Sequence, residues 1–145
     1  MNARKNLKLM SLVVLALAAV TFVRTILDAF SIDFDMAALP EGTTAGMVLA
    51  AQIVLCALSF ILLLPQIYVG VKGLKISKKP DDSKAHIVWA IILTVISAIG
   101  IISPVSNIIN AGNIVDNVVA IVDMATDVAV YIAYIAYAKQ VLKAA

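Results

Sequence analysis

The hydrophobic positions of this chain fall in long blocks. Four apolar stretches cover about residues 9–30, 46–70, 86–103 and 114–138. Each is near the roughly 20 apolar residues that an α-helix needs to cross the hydrocarbon core of a bilayer. Together they use most of the chain. The pattern therefore predicts an all-α integral membrane protein. The expected form is an antiparallel bundle of four transmembrane helices, a single domain over residues 1–145 with no separate soluble part.

Polar and turn-forming residues mark the connections. Pro80-Asp81-Asp82-Ser83 breaks the chain, and Ser83 is expected to cap the third helix, with Trp89 near the membrane interface. Ser103-Pro104 is expected to end the third span, and Ala111-Gly112-Asn113 reads as a turn between antiparallel helices. The first stretch follows basic residues Arg4, Lys5 and Lys8 and contains Ala16-Leu17-Ala18, an arrangement like that of a secretory signal. With Met1 at the head of the chain, it is read as a retained first span.

Composition supports a lipid-facing surface. The chain is 63% hydrophobic and 14% charged, with mean hydropathy +1.04, against about 45–50% and 25% for a soluble domain. Charge then sets orientation. Ten of the 11 Lys and Arg residues lie in the N-terminal tail (Arg4, Lys5, Lys8), the middle connection (Lys72, Lys75, Lys78, Lys79, Lys84) or the C-terminal end (Lys139, Lys143). The connection 31–46 carries Asp33, Asp35 and Glu41, and 103–113 carries no charge. By the positive-inside rule, both termini and the middle connection are expected in the cytoplasm of a multi-pass cell-membrane protein.

The exception is Arg24. It lies 16 residues from Lys8, about 24 Å along a helix. On the fourth span Asp127, Asp123 and Asp116 lie about 18, 24 and 34 Å from Lys139. Arg24 is thus level with Asp123, and both fall inside a hydrocarbon core of about 30 Å. A charge at that depth costs about 2.5–3.5 kcal/mol on insertion scales, so Arg24 is expected to pair with Asp123 or Asp127. The competing outcome is an Arg24 that snorkels to the outer headgroups. Asp127 has too short a side chain for that route. Asp28 and Gln52 also fall near the outer edge, and Thr94, Ser97, Ser103, Asn107 and Asn110 climb toward it. The outer half of the bundle is therefore expected to be polar and the inner half apolar.

On the fourth span Asp116, Ala120, Asp123, Asp127 and Tyr131 form one stripe. Ala125, Ala129 and Ala133 form a small-xxx-small row about 200° away, suited to close helix approach. That row is the candidate contact for a homo-oligomer or another protein partner. Tyr131, Tyr134 and Tyr137 are expected to fill core space or reach the cytoplasmic interface.

Known chemistry is sparse. Cys56 is the single cysteine, so the chain has no internal disulfide or CxxC pair. His86, the single histidine, is expected to be a connection residue at the interface. HExxH, GxSxG and His/Cys metal clusters are missing from the sequence, so no enzyme activity, metal or cofactor is expected, and nothing points to nucleic acid. Leu64-Pro65-Gln66 is similar to the Pro-Gln pair of PQ-loop transporters over two residues. That family builds three-helix repeats around the pair, whereas this chain has four spans and no second pair. Pro65 is read as a helix kink. The arginine row of voltage sensors, the first-helix carboxylate of small multidrug transporters and the W…C…C loop of claudins are missing.

Two functions remain. The first is permeation or transport of a cation or proton at a site comprising Asp127, Asp123, Arg24, Asp28, Asp116 and Gln52. Crowding carboxylates into a low dielectric makes ionising all of them costly, the condition for reversible protonation. The second is a structural or accessory subunit, in which Arg24 and the aspartates fix helix register.

Overall fold

The computed structural model describes residues 2–31, 42–110 and 114–144. Asp33, Asp35 and Glu41 and the Ala111-Gly112-Asn113 turn lie outside the described residues, as does the side chain of Asp28. The described chain is all helical: α1 (Ala3–Ser31), α2 (Ala45–Lys78), α3 (Ala85–Gly100), α4 (Ile102–Ile109) and α5 (Ile114–Lys143). Helices α3 and α4 run on as one segment, Ala85–Ile109, giving four segments long and apolar enough to cross a membrane. By helix length and composition, the chain is a multi-pass membrane protein.

The elements differ from the sequence pattern at their ends. α2 continues past residue 70 to Lys78, which places Lys72, Lys75 and Lys78 on the helix. Basic residues in a last turn complement the helix dipole, so the lysines extend the helix that they were expected to leave. Pro65 lies inside α2 without ending it. Pro104 does not end the third span either. It falls in the first turn of α4, where its missing N–H would have no helical partner in any case. Ser83 is not the cap of α3: Lys84 holds that position without a side-chain bond, and the Ser83 backbone N–H donates to Asp81 Oδ1 at 3.0 Å.

α1 packs against α2 and α5, and α3 against α2 and α5, closing a ring of helices. Neighbours are antiparallel: Leu15 meets Gly70 on α2, His86 meets Tyr134 on α5, and Gly100 approaches Met124. The N-terminus, the 79–84 connection and the C-terminus thus share one end, here termed the lysine end.

The core occupies the lysine half. Leu7, Val14, Val69, Ile76, Tyr131 and Tyr134 belong to one buried cluster. Its tightest point is Gly73. A Cβ there would lie 2.6 Å from Tyr134 Cε2 and would collide with Ser11 Oγ, and one on Gly70 would lie 2.7 Å from Leu15 Cδ2. Only glycine lets α1, α2 and α5 meet so closely. The Tyr134 hydroxyl donates to the Val69 carbonyl at 3.0 Å, tying α5 to α2. At the other end the helices touch more loosely, and Phe22 and Phe60 stack at 4.7 Å with Phe22 exposed.

The inner half, expected to be apolar, holds polar groups of its own. Among the described residues, the buried polar ones are Asn6, Ser11, Gln66, Ser77 and His86, all in the lysine half. Ser11 bonds back to the Leu7 carbonyl at 2.7 Å and Ser77 to that of Leu74 at 2.8 Å, so these hydroxyls are satisfied within their own helices.

Gly73→Ala is expected to lower the thermal midpoint in detergent, because forcing a methyl group into this contact costs about 1–3 kcal/mol. Gly46→Ala is the control: its Cβ would meet only Thr44 Oγ1 at 3.8 Å, and the midpoint should hold or rise. A Gly73→Ala protein as stable as the parent would show that the three helices do not meet there.

At the lysine end, Lys72 Nζ lies 2.6 Å from Asp81. This hydrogen bond, with that from the Ser83 amide, holds the Asp81 carboxyl below the ordinary carboxylate range. A depressed folded pKa contributes stability above the unfolded value and loses it as pH falls through the folded one. Amide protection over 79–84, taken against each amide's intrinsic exchange rate at the same pH, is therefore expected to hold steady near neutral pH and to fall below about pH 4. Lys72→Met should weaken that pH dependence, leaving the part that comes from the Ser83 amide.

Candidate functional site

The seam between α1 and α5 opens at the end away from the lysines. A cavity of about 360 Å³ lies there, lined by Thr21 and Arg24 of α1 and by Asp123, Met124, Thr126 and Asp127 of α5, among others. Four-residue spacing puts Asp123 and Asp127 on one face, a turn apart. The antiparallel run of α1 brings Arg24 to the level of Asp123.

Arg24 Nη1 donates to Asp123 Oδ2, joining the two helices. Both side chains remain open to the surroundings, 57% and 51% exposed. Asp127 is different. It is half-buried and faces the same cavity, yet among the described residues it has no hydrogen-bond or ion-pair partner. Asp123, one turn away on the same face, is a like-charged neighbour. Thr126, beside it, donates its hydroxyl to the Val122 carbonyl at 2.8 Å and so offers the cavity only acceptor capacity. The arrangement presents a neutralised pair next to a lone carboxyl group in a space large enough for several waters.

The remaining residues of the expected cluster are not gathered there. Gln52 is half-buried on α2, and Asp116 is exposed in the first turn of α5, engaged in an interaction of its own. Neither lines the cavity. Asp28 sits on α1 one turn beyond Arg24, its side chain outside the described residues. Among the described residues, no three or more His, Cys, Asp or Glu side chains are placed to hold a metal ion.

The alanine row does not pack within the chain. Ala125 and Ala129 are exposed, and with Ala133, Met10, Val122 and Val130 they line a shallow apolar groove of about 490 Å³ along the same seam. Cys56 is buried and unpaired on α2.

His86 overturns its expectation as a connection residue. It lies in the first turn of α3, is 0% exposed, and meets the Tyr134 ring edge-on with centroids 6.0 Å apart. Neither ring nitrogen finds a partner within hydrogen-bond geometry. A sequence signal for this placement existed: His86, Ala90, Thr94 and Ser97 recur at helical spacing, and all are buried or half-buried. The three tyrosines behave as core residues, Tyr131 and Tyr134 buried and Tyr137 packed against them.

Comparison with protein-family models, with curated proteins and with solved structures returns no match. The function is therefore read from the residues alone.

A double-mutant cycle on Arg24→Ala and Asp123→Ala, read by thermal unfolding in lipid or detergent, is expected to give a coupling of about 1 kcal/mol, in the range of interhelical polar pairs in membranes. The same cycle on Arg24→Ala and Asp127→Ala should give a coupling near zero. Reversed magnitudes would move the arginine to the other carboxylate.

Proposed function

We propose that this chain is a small cell-membrane protein that conducts or transports a cation or proton, with Asp127 as the group that takes the ion. The observation that carries this reading is the lone Asp127 carboxyl, half-buried beside Asp123 and facing a largely apolar cavity that also admits Arg24, Thr21 and Thr126. An intramembrane carboxyl group is costly unless paired, protonated or bathed in water, and the sole arginine of the seam is engaged with Asp123. Asp127 is thus free to exchange its own counter-ion, while Arg24 and Asp123 set the local field. The lysine-rich end lies in the cytoplasm, as the positive-inside rule requires, so the cavity opens on the outer side.

A second reading is favoured by the Arg24–Asp123 link. It fixes the register of α1 against α5, as expected of a structural or accessory subunit. The open alanine groove would then be the contact for a second copy or another membrane protein, since small residues let helices approach closely.

The test is cation and proton flux in proteoliposomes. Asp127→Asn is expected to reduce flux at least about tenfold, a 1.4 kcal/mol effect or more, in a protein that still melts like the parent. Asp123→Asn should alter flux less. If the parent carries no flux and the variants differ only in stability, the accessory reading replaces the transport one.

A further inference from the structure

We infer that the cation taken at Asp127 is a monovalent organic one, an alkylated ammonium whose apolar groups lie along the walls of the α1–α5 cavity. The inference rests on the reading of Asp127 as an ion site and names the class of ion.

The charges of the cavity call for one positive charge. Its charged lining residues are Arg24, Asp123 and Asp127. Arg24 and Asp123 offset each other in their interhelical pair, which leaves the carboxyl group of Asp127 over. A cation beside it is the partner that a carboxylate at this depth needs.

The walls decide what kind of cation. Leu17 and Val20 of α1, with Ala120 and Met124 of α5, complete the lining around the two threonines. None of these four side chains carries an oxygen or a nitrogen. Divalent metal ions take about six or more oxygen ligands, and a hydrated ion brings waters that each need two to four polar partners. One carboxylate and two hydroxyls fall short of either demand. A proton needs no cavity, and these walls offer it no further group to move to. An alkylated ammonium turns each deficit into a fit, its charge against Asp127 and its carbon chains against the leucine, valine, alanine and methionine. Met124 is unbranched and polarizable, so it adapts to chains of differing shape. The volume, about 360 Å³, falls within the range of about 300–1,000 Å³ that small-molecule pockets occupy.

Access fits the same class. Arg24 and Asp123 are more than half exposed, and so is Val20, so the cavity is open along the seam and Asp127 is reached with no helix moving. At hydrocarbon depth that opening faces lipid, in which an alkylated cation partitions and a metal ion does not. No aromatic ring lines the cavity, so recognition has only charge and apolar area to use. Affinity should therefore follow chain length.

Isothermal titration calorimetry on the full chain in a neutral detergent, with tetramethyl-, tetraethyl- and tetrapropylammonium, supplies the test. Saturable binding is expected, tighter along the series by about fourfold for each methylene buried. Asp127→Asn should weaken tetrapropylammonium by about tenfold or more, as loss of a charged partner does. Ala120→Leu, which narrows the cavity and keeps the carboxylate, should weaken tetrapropylammonium by about tenfold and leave tetramethylammonium unchanged. Equal affinity across the series, or binding that Asp127→Asn leaves intact, overturns this inference. If sodium, potassium or proton flux in proteoliposomes then still depends on Asp127, the ion-site reading stands without it. No Asp127-dependent binding and no flux of any cation overturns both. Should Asp127→Asn fail to fold, the size series on the parent and on Ala120→Leu decides in its place.

Discussion

At Gly73 three helices meet with no room for a methyl group, and that contact divides the bundle into a closed half and an open one. In water, burial of apolar area would drive the helices together. In lipid that drive is gone, and close backbone approach with a few interhelical hydrogen bonds takes its place. Ser11, Gly73 and Tyr134 supply the approach, and the Tyr134–Val69 bond adds the directional element. Helices fastened so firmly at one end separate toward the other, which is where the α1–α5 cavity lies.

The polar groups divide their work accordingly. In the closed half, the buried serine hydroxyls fold back on their own helices, and His86 alone is left with idle nitrogens among the buried polar atoms described. In the open half, Arg24 and Asp123 bridge α1 to α5 across a gap that side-chain packing does not fill. Asp127 stands between the two regimes, a turn below the bridge and a turn above the tyrosines. That position, more than its chemistry, sets it apart from the other carboxylates.

Much of this arrangement was legible in the sequence because depth is legible. Helix rise and lysine positions place Arg24 and Asp123 at one level, and α5 spacing places Asp123 and Asp127 on one face. Direction around each helix is harder to read. Gln52 and Asp116 share the outer level of the cluster yet point elsewhere, which level alone cannot reveal. His86 sits beside Lys84 and reads as interfacial, but a quarter turn of α3 carries it into the core instead of the headgroups. Pro104 was misleading for a related reason: a proline that ends one helix and a proline that starts the next look alike until the turn itself is seen.

The length of α2 carries a mechanical consequence. Its 34 residues make a rod of about 51 Å, well beyond the roughly 30 Å of hydrocarbon that it crosses. Lys72, Lys75 and Lys78 lie on the turns at its lysine end, so in a bilayer the surplus length would fall on the side where Gly73 holds α2 against its neighbours.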